Sequence, residues 1–341
     1  MGKHIAVLGT GANGSCIAAD LARNGHDVVL IDQWPAHVEA MRAHGLHVAM
    51  PDEEIHVPVA AYHLCDVCAL TRIFDIVLLV AKAYDTRWMC EFIKPYLAKD
   101  GLLIGIQNGM MQDEIAAVVG PDRTLGCVVE LSSELFTPGL VQRNTPPAKT
   151  WFGIGSLDPR TDGRIGEIEA LLRDVGRVSV TSDIRAAKWM KLVVNTMCLG
   201  PFAMLGLRLS EAIDLPGMRE LVLKVGTEAL EAGQMLGHSI EPIFGLSPAD
   251  VQGTNQLLEK LLDKLSRDIG PRARDCVLQD HLKGRYSEVD LINGLVVAEC
   301  ERRGKRAPAN AAIVEITRRI RNGTLKPDPS NLALARSLSA G

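Results

Sequence analysis

Aromatic residues are scarce in this chain, at 4% of 341 positions. Surfaces that stack single-stranded nucleic acid are built from such rings, so that class of function is disfavoured. The chain also lacks a block of like charge. Lys and Arg number 37 against 41 Asp and Glu, a formal net charge of −4. With charges interspersed and no basic patch, no nucleic-acid partner is expected. No apolar run reaches the roughly 18 residues of a membrane span, so no membrane association is expected either. The opening MGKHIAVLGTG lacks the long apolar stretch and small-residue cleavage site of a signal peptide. A cytoplasmic location is expected.

Eight cysteines, at 16, 65, 68, 90, 127, 198, 276 and 300, are too sparse for a disulfide framework in a chain of this size. Cys65 and Cys68 form one CxxC. A zinc ribbon needs a second pair at similar spacing, and none exists, so no metal site is expected.

The composition is that of a globular protein, and the length suggests two domains. Up to about residue 180, short β-rich runs alternate with helical stretches. The runs are IAVLG (5–9), DVVLID (27–32), IVLLVAK (76–82), LLIGIQNG (102–109) and TLGCVVEL (124–131). Helix-like segments cover 14–24 and 86–98. This alternation predicts an α/β fold with a doubly wound parallel sheet. The stretch 137–156 carries Pro, Gly and two short apolar runs, as extra strands or a hairpin would. Beyond about residue 185, apolar residues recur at helical spacing in 185–205, 217–236, 251–266, 287–303 and 308–322. The expected organisation is a dinucleotide-binding Rossmann-type domain over 1–182, a mainly helical domain over 183–328 and a loosely held tail over 329–341.

Gly9-Thr10-Gly11-Ala12-Asn13-Gly14 is a GxGxxG that follows a strand-like run and opens an apolar helix. This is the context the dinucleotide fingerprint demands. Gly9 permits the tight turn, Gly11 lets the backbone approach a pyrophosphate, and Gly14 allows close helix–strand packing. Asn13 lies in the same turn. A glycine turn without a ligand is the plain alternative. The second strand ends in Asp32, placed to bond a ribose 2′-hydroxyl and to repel a 2′-phosphate. Gln33, Trp34 and Pro35 follow, with no Arg or Lys until Arg42. This pattern favours NAD over NADP. The competing reading has Asp32 merely capping its strand while a remote basic residue binds the phosphate.

Further segments carry chemistry. Lys82 follows the third run within VAKAYDT, where a strand's C-terminal end faces the ligand crevice. Asn108 ends IQNG. Lys191 and Asn195, four apart in KWMKLVVN, share one helix face. LQD, with Asp280, precedes SEVDLING, with Glu288, and APAN closes the series at 307–310.

Together, in this order and over nearly the whole chain, these segments resemble the ketopantoate reductase (2-dehydropantoate 2-reductase) family. The resemblance implies a Rossmann domain, a helical second domain and an active site in the cleft between them. It also implies reduction of a 2-oxo acid to a 2-hydroxy acid with a nicotinamide cofactor. By position, Lys191 resembles the family's general acid, which donates to the carbonyl oxygen and stabilises developing alkoxide charge. Glu288 resembles its acidic partner, and Asn195 the amide that contacts substrate. Asn108 and Lys82 resemble residues lining the nicotinamide and the cleft floor. Asp280 is counted with the substrate-binding group. Plainer readings stand beside these. Lys191 could be a solvated helix lysine, Glu288 a first-turn acid favourable to the helix dipole, and Asn108-Gly109 only a turn. Lys188 does not match the family's lysine and is expected at the surface.

Two positions depart from the family pattern. The family typically has a second Asn eight residues after its lysine, where Leu199 stands here. It typically has a Ser four residues before the Asp of its QD motif, where Cys276 stands. Cys is a weak donor and Leu none. Losing polar grip on a substrate shifts specificity. The expected substrate is therefore a small-molecule 2-oxo or 2-hydroxy acid other than ketopantoate, and an NAD-using enzyme of this kind could run as a dehydrogenase. A genuine 2-dehydropantoate 2-reductase, a non-catalytic nicotinamide-binding module and an enzyme using NAD without net redox are the alternatives. A homodimer is the expected assembly.

Overall fold

A computed structural model of the chain describes residues 2–251, 256–268 and 270–340. Two compact units divide it, Met1–Ile184 and Arg185–Gly341.

The first unit is built on an eight-stranded sheet. Its strands are β1 (His4–Leu8), β2 (Asp27–Asp32), β5 (Ala60–His63), β6 (Phe74–Leu79), β7 (Leu97–Gly105), β8 (Thr124–Glu130), β11 (Trp151–Ser156) and β12 (Arg177–Val180). The spatial order is β12-β11-β8-β7-β6-β1-β2-β5. From β5 to β8 every pairing is parallel. That stretch has the order of the doubly wound dinucleotide-binding sheet. β11 then joins β8 antiparallel, and β12 joins β11 in parallel.

The apolar runs behave as strands covered on both faces must. β1 sends Ile5 and Val7 into a core with Ile17 and Leu21 of the helix Ala12–Arg23. Its alternate residues, Ala6 and Leu8, join Met89, Ile93 and Ile115 on the opposite face. The period of two in strand side chains produces this division.

A second sheet of four strands has the order β4-β3-β10-β9. Its strands are β3 (Leu46–Ala49), β4 (Glu54–Val57), β9 (Ser133–Thr137) and β10 (Leu140–Arg143). The hairpin expected in 137–156 is thus divided. β9 and β10 form this hairpin, while β11 extends the main sheet. Arg143 at the end of β10 is fully buried. Its Nη1 donates to Asp20 Oδ2 of the first helix at 2.6 Å. Its remaining donors reach Thr145 O, Thr150 Oγ1 and Val175 O. A buried ion pair is tolerated when its hydrogen-bonding capacity is met in this way.

The second unit is helical. Its longer helices are Ile184–Cys198, Met218–Met235, Leu257–Asp268, Val289–Glu301 and Pro308–Arg321. The helix expected over 185–205 breaks at Leu199, and a short turn of helix follows at Gly200–Ala203. Of the helix expected over 251–266, residues 252–255 lie outside the described residues. Trp189 pins the first helix to the second. Its Nε1 donates to Ala229 O at 2.9 Å, and its ring lies where a Cβ on Gly233 would intrude at 2.1 Å. Glu228 accepts from the amides of Ala309 and Asn310, both at 2.9 Å, holding the start of Pro308–Arg321. A carboxylate there meets the unpaired amides and the positive end of the helix.

The expected loose tail is instead the helix Asn331–Ser339. Leu332 and Ala335 are buried, and Asn331 Nδ2 donates to Met204 O and Lys326 O at 2.8 Å each. Lys224 Nζ donates to Ser339 O at 2.6 Å, so polar bonds as well as apolar burial hold the segment.

Candidate active site

In the first unit, the glycine turn closes at the C-terminal end of β1, beside the start of the turn after β6. β1 and β6 are the neighbours between which the strand order reverses, the crevice that binds ligands in such sheets. Gly9 has φ +89°, and its N–H donates to Ile31 O at 2.8 Å. A Cβ there would lie 2.7 Å from Ala81 N. Gly14 is buried under the turn, and its Cβ would lie 2.2 Å from Gly9 O. Gly11 differs from both. It precedes the helix Ala12–Arg23, and a Cβ on it would meet nothing within 4 Å. The open side of Gly11 at a helix N-terminus is the cradle a pyrophosphate needs, so the turn fits a dinucleotide. The Asn13 side chain is tied to β9, its Oδ1 accepting from Ser133 Oγ at 2.6 Å.

Asp32 is buried at the end of β2. Its Oδ1 accepts from Trp34 N at 2.8 Å and its Oδ2 from Thr10 Oγ1 at 3.3 Å. Burial pushes its carboxyl above the ordinary carboxylate range, opposed by the Trp34 amide and by His37. His37 is absent from the residues singled out in the sequence, yet it braces the turn. Its Nδ1 accepts from Gly139 N at 2.9 Å, so Nε2 carries the proton and donates to Thr10 O at 3.0 Å. Burial holds its pKa below the usual histidine value. Only the spacing of two residues from Pro35 marks it in sequence.

Lys82 is half-buried and precedes the short 3-10 turn Ala83–Asp85. Asn108 is half-buried beside Gln107, whose Nε2 donates to Thr86 Oγ1 at 2.7 Å. Gly109 has φ +73°, so Asn108 does enter a turn.

In the second unit, Lys191 is half-buried and Asn195 buried, one turn apart on Ile184–Cys198. The Lys191 Nζ lies 4.8 Å from the centroid of the Phe244 ring. Burial pushes the Cys198 thiol up to about 12, with Lys191 lowering it and Asp275 raising it. Both charges therefore lie within electrostatic reach of one buried thiol. The next candidate segment is the helix Cys276–Leu282, capped by Asp275 through the amides of Val277 and Leu278 at 2.9 Å. Cys276 is half-buried and Asp280 buried on it. Leu199, half-buried, ends the lysine helix, its N–H donating to Asn195 O at 3.1 Å. A Cβ on the next residue, Gly200, would lie 3.6 Å from Val289 Cγ2, the residue after Glu288.

Glu288 is 3% exposed. It precedes the helix Val289–Glu301 but makes no capping bond to it. Its place at the helix start is also the one the plain reading, an acid favourable to the helix dipole, requires. Lys188 corrects the expectation of a surface lysine, being 4% exposed. The helix is apolar on most sides, and position 188 falls on a covered one. Asn293 and Asn310, in the SEVDLING and APAN segments, serve packing. Asn293 Nδ2 donates to Asn310 Oδ1 at 3.0 Å, and Asn310 Nδ2 donates to Val225 O at 3.0 Å. Among the described residues, no group of three or more His, Cys, Asp or Glu is placed to hold a metal. No described helix is long and apolar enough to cross a membrane.

Comparison with known proteins agrees with this geometry. Residues 5–156 match the family model "Ketopantoate reductase PanE/ApbA", and residues 183–321 match its C-terminal counterpart. The 2-dehydropantoate 2-reductase of Archaeoglobus fulgidus is 24% identical over 94% of this chain and 99% of its own. That of Mesorhizobium japonicum is 26% identical over 93% and 97%. Among solved structures, a PanE/ApbA family ketopantoate reductase from Ralstonia eutropha JMP134 superposes with a TM-score of 0.78 at 25% identity, covering 94% of this chain and 99% of that one. A D-mandelate dehydrogenase with NADH and anilino(oxo)acetate superposes with a TM-score of 0.82 at 19% identity, with the same coverage, a likeness of fold. The chain belongs to the ketopantoate reductase family of oxidoreductases.

Proposed function

We propose that the protein interconverts a 2-oxo acid and its 2-hydroxy acid with NAD(H), on a substrate less polar or differently branched than ketopantoate. The observation that carries this reading is the polar set Lys191, Asn195 and Glu288 in the helical unit. Lys191 and Asn195 stand four apart on one helix, Glu288 directly precedes another, and Asn195 and Glu288 are buried.

Gly9, Gly11, Asn13, Gly14, Asp32, Lys82 and Asn108 would hold the cofactor. The bound nicotinamide supplies or accepts the hydride. Lys191 donates its proton to the carbonyl oxygen as negative charge grows there. In the reverse direction the same amine removes the hydroxyl proton. Glu288 orients the substrate and Lys191, and Asn195 donates to the substrate. Leu199, Cys276 and Asp280 line its far side, where the first two offer little polar grip.

NAD rather than NADP is supported by Arg42, the first basic residue after Asp32. Its Nε donates to Ala61 O at 2.8 Å, and its remaining arms go to Glu39 and Asp66. Each of its three nitrogens already has a partner, so a 2′-phosphate would compete with two carboxylates for it.

The second reading is a 2-dehydropantoate 2-reductase, the name its curated relatives carry. Nicotinamide absorbance with ketopantoate and a panel of branched and aromatic 2-oxo acids, with NADH and NADPH in parallel, separates the two. Slow ketopantoate turnover beside a faster panel member is expected. Fast ketopantoate turnover overturns the substrate proposal, and tighter NADPH binding overturns the cofactor proposal. Lys191→Ala is expected to lower kcat by about 10²–10⁴-fold with cofactor affinity kept.

A further inference from the structure

Phe244 is the one residue other than glycine with positive φ among the described residues, at +60°. Gly245 follows at φ +73°, and Leu246 N donates to Ile243 O at 3.1 Å. Two successive left-handed residues inside such a bond make a tight turn of the type I′ pattern. Its first central position ordinarily takes Asn, Asp or Gly. A bulky aromatic residue there is strained, and strain of this kind persists only where surrounding packing enforces it. The ring is 1% exposed and lies under the Lys191 ammonium, 4.8 Å from centroid to Nζ.

We propose that Phe244 is a positioning residue for the proton donor, and that the strained turn exists to hold its ring beneath Lys191. This rests on the reading of Lys191 as the general acid. The argument is electrostatic and steric together. A lysine ammonium is a point charge on a flexible four-carbon stem, so its location must be fixed by its surroundings. Partial burial disfavours the charged form. The negative face of an aromatic ring favours it and restrains the stem. The ring is too deeply buried to be a substrate contact, so its effect passes through Lys191. An Asn would suit the turn better, and an aliphatic residue would fill the space. An aromatic residue adds the ring face over which the ammonium sits.

The test compares Phe244→Leu, which keeps apolar bulk without the ring face, with Phe244→Tyr, which keeps both. The 2-oxo acid that turns over best in the panel is the substrate. Phe244→Leu is expected to lower kcat about 3- to 30-fold with KM and NADH affinity little changed, and Phe244→Tyr to retain most of kcat. A second readout needs no substrate. Acetylation of Lys191 by acetic anhydride, followed by mass spectrometry, should be faster in Phe244→Leu than in Phe244→Tyr, because less of the amine is held as ammonium. Thermal unfolding of each variant separates loss of fold from loss of positioning. Equal kcat and equal labelling in the two variants, at matched unfolding temperature, would overturn the proposal. Full activity of Lys191→Ala would instead remove the reading beneath it, a result distinct from any pattern of the Phe244 variants.

Discussion

A Cβ on Gly14 would lie 2.2 Å from the carbonyl oxygen of Gly9, so the first helix rests on the turn that precedes it with no space between. Gly11, between the two, has open space in front of it. The two positions should therefore fail differently. Gly14→Ala must push helix and turn apart, and a loss of about 1–3 kcal/mol is expected in denaturant unfolding. Gly11→Ala has nothing to strike in the free protein, and its φ of −61° suits any residue. Its stability should stay within about 0.5 kcal/mol of the parent. NADH affinity, read by fluorescence titration, should fall about tenfold or more as the added methyl meets the pyrophosphate.

Arg143 and Asp20 make a second separable case. Arg143→Ala leaves the Asp20 carboxylate buried without its cation, together with a Val175 carbonyl that loses the Arg143 donor. A loss of about 3–5 kcal/mol is expected. Arg143→Met combined with Asp20→Leu should lose less than Arg143→Ala, since no charge is then stranded. Urea unfolding midpoints of the three proteins decide this, and equal losses would refute it.

The thiols offer a map of the site. Cys65 and Cys68 are exposed and Cys276 is half-buried, while the other five are buried. Burial pushes Cys16, Cys90 and Cys198 up to about 12, which leaves them protonated and unreactive. Native protein at pH 8 should show two fast thiols and one slower one. A saturating substrate analogue should slow the third alone. Peptide mapping that finds Cys276 labelled at an unchanged rate would place it outside the substrate site.

Two histidines contribute to the acid side of the stability curve. Burial lowers the pKa of both His37 and His281 from 6.5. Between the ordinary value and the lowered one, the unfolded chain binds more protons than the folded one. Stability is then full above about pH 6.5 and falls as pH drops below it, levelling once the folded histidines also titrate. His281→Asn should remove part of that fall. Unfolding midpoints from pH 8 to pH 5 test it, and a flat profile in the parent would contradict it.

The doubly wound sheet was legible because strands covered on both faces must be apolar through their middles, as residues 5–8, 28–31 and 76–79 are. The glycine turn was legible because its three glycines have separate steric duties. β3, β4 and β9 were not, since each is only four or five residues long, and the pairing of β3 with β10 that joins the two hairpins links segments far apart in sequence. Lys188 was misjudged for a related reason: spacing gives the face of a helix but not what covers it. Phe244 left no trace, because nothing in the order Ile243-Phe244-Gly245 reveals that the middle residue takes a glycine's conformation. Asn293 and Asn310 stood out as family landmarks, yet their hydrogen bonds show them serving the packing of helices.

The small sheet also has a consequence for how the chain is made. β3 lies beside β10 in parallel, with Ala49 opposite Gln142, and 93 residues separate them. A ribosome adding about 5–20 residues per second needs about 5–19 s to cross that interval. Throughout it, the hairpin of β3 and β4 waits with one edge unpaired, a template for association with other nascent chains. The His47 and Glu54 side chains on that hairpin, and the exposed His56 opposite His47, give it a polar, charged character that discourages such pairing until residue 140 emerges.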